Sequence, residues 1–334
     1  MKIVIAGLGS IGRRHLRNLR AFDENELLLL RTRKSTLPEE DLSDYPVVND
    51  LTKALEWKPE AVIVANPTSL HLEVAIPFAQ TGCHLLLEKP VSNSMVRIDL
   101  LQQAVEDGGS QVLVGFQYRF HPGLQTTKQV LDSGAIGKPI SFRSHWSQWL
   151  PGWHPWEDYR QGYSARQDLG GGVVLTLCHP LDYLRWIFGD VRKLWAFTGM
   201  SGDLQIKVED TAEIGLQYKN DLIGSVHLDY NGQPSAHYLE VIGTEGTLRW
   251  DNPTGTVSVF QTGNNKNAEE PKWELVQSLP GFERNQLFMD EIQHFLSVVR
   301  GEIKPVCTLE DGIVALKLAL AALNSAKSSQ IQVF

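Results

Sequence analysis

Gly7-Leu8-Gly9-Ser10-Ile11-Gly12 follows a β-branched run, Lys2–Ala6, and leads directly into a polar, helix-forming stretch. In that setting a glycine turn can cradle a dinucleotide's pyrophosphate. The first glycine allows the tight turn, the second lets backbone approach the anion, and the third lets strand and helix pack closely while the helix N-terminus faces the charge. Gly7, Gly9, Ser10, Ile11 and Gly12 are therefore candidate cofactor contacts. About twenty residues on, where a carboxylate would hold the ribose 2′-hydroxyl of NAD, the chain instead has Arg31-Thr32-Arg33-Lys34. Guanidinium groups suit a 2′-phosphate, which favours NADP over NAD and makes Arg31, Thr32 and Arg33 candidates; the alternative is a set of solvated basic residues after a strand.

Two further strand ends carry usable groups. Asn66, Pro67, Thr68 and His71 fall at the carboxyl edge of the third strand, where ligands of open α/β sheets bind. Glu88-Lys89-Pro90 ends the fourth, and a lysine fixed there can donate a hydrogen bond or proton to an oxygen beside a nicotinamide. Taken alone, such a lysine is more often an exposed charge. Farther on, His179 offers an imidazole able to give and take a proton, with Asp182 three residues later on the same helical side and able to orient the ring. Trp146, Trp149, Trp153, His154, Trp156, Asp158, Tyr159, Tyr163, Arg166 and Asp168 precede the triplet Gly170-Gly171-Gly172. Flat aromatic faces stack on sugar rings while polar tips read hydroxyls, so Trp153, His154 and Tyr163 are candidate substrate contacts. An aromatic core or a subunit interface explains the same composition equally well. His145, His154, His179 and His237 show no metal-ligand spacing, and no metal is expected.

The elements that must position these groups are legible as two textures. Strands are predicted at Lys2–Ala6, Glu26–Arg31, Ala61–Ala65, His84–Glu88 and Gln111–Gly115, alternating with helices at Ile11–Ala21, Leu51–Glu56, Ser69–Thr81 and Val96–Asp107. That alternation specifies a parallel, doubly wound Rossmann sheet. After about Phe120, strands crowd together at Ile140–Ser147, Val191–Thr198, Thr211–Tyr218, Leu222–Tyr230, His237–Gly243, Thr247–Trp250 and Thr256–Gln261, interrupted by one helix over Val174–Phe188. This reads as an α+β domain with a large, mostly antiparallel open sheet. Helices at Gln286–Arg300 and Leu309–Ser328 follow, and Gly263–Pro271 reads as a solvated hairpin tip. The expected division is 1–121 for the dinucleotide and 122–334 for substrate and oligomerisation, with the helix at 309–328 packing back on the first domain.

A length of 334 residues suits two cores, and 39 acidic against 31 basic residues give a net charge of -8. That balance argues against affinity for nucleic acid or anionic membrane and points to a small-molecule partner. Three widely spaced cysteines, Cys83, Cys178 and Cys307, form no disulfide framework and fit a reducing compartment. With no apolar run long enough to span a bilayer and no export signal, a soluble cytoplasmic protein is expected.

Taken in order, Gly7–Gly12, Asn66–His71, Glu88-Lys89-Pro90, Gly115–Pro122, the glycine triplet and His179-Pro180-Leu181-Asp182 resemble the glucose-fructose oxidoreductase, inositol dehydrogenase and MocA (Gfo/Idh/MocA) family over nearly the whole chain. The resemblance implies hydride transfer between a nicotinamide and a carbon of a sugar, sugar derivative or cyclitol. It carries the catalytic lysine onto Lys89 and the acid or base onto His179, with Glu88 positioning Lys89 and a cis peptide before Pro90. Gln117 becomes a candidate cofactor contact and Tyr118 a candidate substrate contact. Many members have an aspartate a turn before the histidine, whereas this chain has Leu175 and Thr176. Either Thr176 hydrogen-bonds substrate in that place, or Lys89 and His179 act alone. The rival readings are an NAD-linked inositol or sugar dehydrogenase and a non-catalytic dinucleotide sensor. A homodimer or homotetramer joined through the second sheet is expected.

Overall fold

The computed structural model describes residues 1–22, 25–31, 42–155, 157–261 and 272–334. Thr32, Arg33, Lys34, Trp156 and the segment 263–271 singled out above lie outside the described residues. In chain order the elements are β1 (Lys2–Ala6), α1 (Ser10–Leu19), β2 (Glu26–Leu30), β3 (Val47–Val48), α2 (Leu51–Glu56), β4 (Ala61–Val64), α3 (His71–Gln80), β5 (His84–Glu88), α4 (Ile98–Gly108) and β6 (Val112–Gly115). Then come α5 (Pro122–Asp132), β7 (Pro139–Ser147), α6 (Val173–Thr176), α7 (His179–Phe188), β8 (Val191–Gly199), β9 (Thr211–Tyr218), β10 (Ile223–Asp229) and β11 (Ala236–Gly243). The chain closes with β12 (Gly246–Asp251), β13 (Thr256–Gln261), β14 (Trp273–Ser278), α8 (Asn285–Val299), α9 (Leu309–Ser328) and β15 (Gln332–Val333).

These elements group into two compact units. The first comprises Met1–Gln117, Asp168–Gly170 and Asn285–Lys317, and holds a six-stranded parallel sheet of order β3-β2-β1-β4-β5-β6. Its central strands are apolar on both faces: Ile3, Val4, Ile5, Val62, Ile63, Leu85 and Leu86 are wholly buried, as helices on both sides of a parallel sheet require. The strand order reverses between β1 and β4, the switch point where ligands of this architecture bind. α4 starts later than the hydrophobic pattern suggests because Arg97 adopts a left-handed φ of 67°, and it ends at Gly109 in the same region.

The second unit comprises Tyr118–Gln167, Gly171–Arg284 and Leu318–Phe334. Its nine-stranded sheet runs β14-β13-β12-β11-β7-β10-β9-β8-β15, antiparallel except where β7 and β10 pair in parallel. Alternation puts Phe142, Ser144 and Trp146 of β7 and Val226 and Leu228 of β10 on the covered face. There Tyr183 of α7 meets Ser144, hydroxyl to hydroxyl at 2.8 Å, and Phe188 stacks on Phe142.

One predicted helix is broken. The span 174–188 divides at Leu177-Cys178 into α6 and α7 because Pro180 falls in the first turn of α7, where its missing N–H costs nothing, while the residues before it leave helical geometry. His179 thereby becomes the first residue of a helix instead of a mid-helix position.

Candidate active site

Within the first unit, the glycine turn lies against the end of β4. Gly7 has φ +93°, and a Cβ there would sit 2.4 Å from the backbone nitrogen of Asn66; a Cβ on Gly12 would sit 1.9 Å from the carbonyl oxygen of Gly7. Both glycines are thus demanded by packing. Gly9 differs: its φ is −73°, and a Cβ would meet nothing within 4 Å among the described residues. Ser10 and Ile11 open α1, whose N-terminus has no side-chain cap and no acidic residue in its first turn. Bare N–H groups and the positive end of the helix dipole suit a pyrophosphate.

Across the switch point, Asn66 donates from Nδ2 to the carbonyl of Leu70 at 2.9 Å, and its backbone oxygen lies 3.0 Å from His71 Nε2. The buried Oδ1 of Asn66 has no hydrogen-bond partner among the described residues, and so is an acceptor left to be satisfied. Pro67 leads into a 3-10 turn over Thr68–Leu70, and Thr68 is buried with its Cβ 3.0 Å from where a Cβ on Gly170 would lie. Burial holds the His71 imidazole below its ordinary range, so it stays neutral. Arg31, just past β2, is buried, with its backbone N–H donated to Val48 at 3.0 Å. Gln117 is buried at the start of a 3-10 turn after β6. These groups fit a nicotinamide dinucleotide: the turn and α1 would hold the diphosphate, and Asn66 the polar edge of a ribose or ring.

Glu88 and Lys89 stand at the carboxyl end of β5. Lys89 is half-buried and joined to Pro90 by a cis peptide bond. Its backbone N–H is donated to Glu88 Oε2 at 3.3 Å, while Glu88 Oε1 lies 2.8 Å from Nε2 of the buried His15.

In the second unit the candidate substrate residues divide between two clusters. Tyr118 and His179 are buried with ring centroids 5.0 Å apart, and Trp146 lies 5.4 Å from each ring. The other cluster surrounds Tyr230: Trp153 meets it edge-on at 5.6 Å, and the Thr176 and Tyr163 side chains are near enough to act on its hydroxyl electrostatically. The Tyr230 hydroxyl is also donated to the carbonyl of Ser164. His154 is half-buried. The glycine triplet is required sterically, since a Cβ on Gly171 would lie 2.2 Å from the Tyr163 carbonyl oxygen and one on Gly172 2.4 Å from a Glu209 carboxyl oxygen. Asp182, expected to orient His179, engages Arg119 through both carboxylate oxygens.

Residues 1–116 match the model of an oxidoreductase family with an NAD-binding Rossmann fold, and residues 124–249 match the GFO/IDH/MocA C-terminal domain. The chain belongs to the GFO/IDH/MocA oxidoreductase family. A myo-inositol 2-dehydrogenase of Thermotoga maritima is 26% identical over 337 aligned positions, covering 97% of this chain and 96% of its own. A 1,5-anhydro-D-fructose reductase of Ensifer adhaerens is 27% identical over 81% of this chain and 78% of its own. Among solved structures, a levoglucosan dehydrogenase in complex with NADH matches with a TM-score of 0.86 at 19% identity, covering 100% of this chain and 98% of that one. That likeness is one of fold.

Four residues of this GFO/IDH/MocA chain with polar roles escape motif reading: His15, Glu209, Tyr230 and Glu291. Glu291 alone left a sequence signal, lying four residues after Leu287 and four before Phe295 on the apolar stripe of α8. Among the described residues no helix is long and apolar enough to cross a membrane.

Proposed function

We propose that this chain interconverts an alcohol and a carbonyl on a sugar, sugar derivative or cyclitol, using NADP in preference to NAD, with Lys89 polarising the reacting oxygen and His179 exchanging its proton. Residues 1–121 hold the cofactor and supply Lys89 and Tyr118, and residues 122–334 supply the other substrate contacts. The observation that carries the reading is the glycine turn at the switch point: two of its glycines are fixed by packing, and the third leaves space above an uncapped helix N-terminus. When bound there, the nicotinamide gives or takes the hydride. Lys89, at the end of β5 beside the anionic Glu88, donates a hydrogen bond to the substrate oxygen. His179 takes the hydroxyl proton in oxidation and returns it in reduction. Trp153, His154, Tyr163, Thr176 and Tyr118 line the ring and hydroxyls of the substrate. The myo-inositol and anhydrofructose activities of the relatives support a polyhydroxylated ring as substrate.

Self-association through the second sheet is part of the reading. Its open face carries Trp195, Phe197, Ile223 and Ile242, all exposed, and an apolar surface of this kind favours a second copy over water. Three free, buried cysteines support a cytoplasmic setting.

The test is oxidation of NADPH with a panel of keto-sugars and inososes, followed by absorbance. Lys89→Ala and His179→Ala are expected to lose turnover while retaining cofactor affinity. Full activity in both variants overturns the assignment, and saturable NADPH binding without turnover on any polyol or keto-sugar favours a sensor.

A further inference from the structure

Glu291 lies midway along α8 with no part of it exposed, and neither carboxyl oxygen has a hydrogen-bond partner among the described residues. Its polar neighbours are His15 of α1 and Glu88 at the end of β5, one nitrogen or oxygen from each of the three lying within 4.8 Å of the others. His15 is wholly buried; its Nε2 is 2.8 Å from Glu88 Oε1, and its Nδ1 has no hydrogen-bond partner among the described residues. The second oxygen of Glu88 accepts the backbone N–H of Lys89 at 3.3 Å. All four residues belong to the first unit. α1 and α8 close the pocket through Phe288, which His15 meets edge-on at 6.2 Å and which Arg14 covers at 4.6 Å.

Two carboxyls so close in a pocket shut off from water do not both ionise, because each charge raises the cost of the other and neither is solvated. Their partners decide which one keeps the proton. Glu88 receives N–H groups from His15 and Lys89, whereas Glu291 receives none. Burial, reinforced by the Glu88 charge, pushes Glu291 well above the usual carboxyl range. Burial pushes Glu88 up as well, but the hydrogen bond from His15 and the neighbouring Lys89 charge outweigh it and hold Glu88 low. The titratable groups facing the pocket are thus His15 from α1, Glu88 and Lys89 from the end of β5, and His71 from α3.

We propose that His15, Glu88 and Glu291 form a buried proton-sharing cluster in which Glu291 is the neutral acid, and that this cluster positions Lys89 by keeping the Glu88 carboxylate charged and bonded to the lysine backbone. The proposal rests on Lys89 being the group that polarises substrate. Glu291 is a positioning residue that acts through Glu88. When the cluster loses its shared proton, a second negative charge appears behind Lys89 and favours the ammonium form.

Two measurements on the intact chain without cofactor test it. Infrared spectra of protein labelled with 13C-glutamate are expected to show, at pH 7, a neutral-carboxyl stretch that is absent from Glu291→Gln and from Glu291→Met; the second variant serves if the first does not fold. The 13Cε resonance of Lys89, assigned by its loss in Lys89→Arg, is expected to titrate about half a pH unit or more lower in Glu291→Gln than in the unaltered chain. No neutral-carboxyl band, an unchanged Lys89 titration, or one equivalent of a divalent cation retained by the unaltered chain and lost in Glu291→Gln each overturns the proposal. Neither measurement needs turnover. If no sugar or cyclitol reacts but both results appear, the dehydrogenase reading fails and the cluster stands.

Discussion

Arg119 grips Asp182 with two parallel hydrogen bonds, Nη2 to Oδ1 at 2.6 Å and Nε to Oδ2 at 2.9 Å, and both side chains are buried. The i,i+3 spacing of His179 and Asp182 is compatible with a carboxylate orienting the imidazole, and an arginine arriving from 63 residues upstream holds that carboxylate through both oxygens. A buried pair of this geometry is costly to break from one side, because the remaining charge keeps its desolvation penalty after losing its principal partner. Arg119→Met and Asp182→Asn are each expected to lower unfolding stability by about 3–5 kcal/mol in urea titrations. The double variant Arg119→Met/Asp182→Leu should recover much of that loss. Single-variant losses below about 1 kcal/mol would mean that the pair does not hold this part of the second unit together.

The glycines of the turn separate folding from binding. A methyl on Gly12 would press into the Gly7 carbonyl at 1.9 Å, while one on Gly9 meets no described atom within 4 Å and suits the backbone there. Gly12→Ala is therefore expected to lower the melting temperature markedly. Gly9→Ala should leave melting unchanged and weaken dinucleotide affinity about tenfold or more, as fluorescence titration would read, because the methyl occupies the line of approach of the diphosphate. Unaltered affinity in Gly9→Ala would refute the turn as the diphosphate site.

How much was legible follows from what carries the signal. β1, β4 and β5 are continuous apolar runs that only a doubly covered parallel sheet can bury, and Gly7–Gly12 announces its own turn. The two-texture division is equally plain because strand spacing changes after Phe120. The helix break at Leu177-Cys178 was hidden by apolar residues that suit a continuous helix, although Pro180 was the available clue. α5 was missed for another reason: His121 caps it through its side chain, accepting from Gly123 at 3.0 Å, and histidine is not a residue one reads as a cap. Glu209, Tyr230 and His15 gain their roles from neighbours distant in sequence, such as the 73-residue separation of His15 and Glu88, and no local pattern encodes that.

Cofactor choice is testable at the end of β2. A guanidinium hydrogen-bonded to a phosphate contributes about 1.5–3 kcal/mol, or roughly 10–150-fold in affinity. Arg33→Ala and Arg31→Ala are expected to weaken NADPH binding by at least tenfold and NADH binding by much less. Equal losses for both cofactors, or tighter NADH than NADPH binding in the unaltered chain, would make this an NAD enzyme. Because Arg31 is buried, its variant should also be checked for melting.

Glu209 carries the clearest pH signature of the second unit. Burial raises its carboxyl from the usual 4.5 to about 7, against hydrogen bonds from backbone N–H groups, including Val174, and with help from the Asp210 charge. The native state therefore binds a proton more tightly than the unfolded chain does. Its contribution to stability is fully present below pH 4.5 and is lost as pH rises from 4.5 to about 7. The displacement corresponds to at most about 3 kcal/mol, and less where solvent reaches the half-buried side chain. Gln at this position keeps a carbonyl for the Val174 N–H but cannot ionise. Glu209→Gln should consequently match the unaltered chain at pH 5 and exceed it in denaturant midpoint at pH 8, with the difference developing between those values. A parallel pH dependence in both proteins would show that Glu209 is ionised throughout.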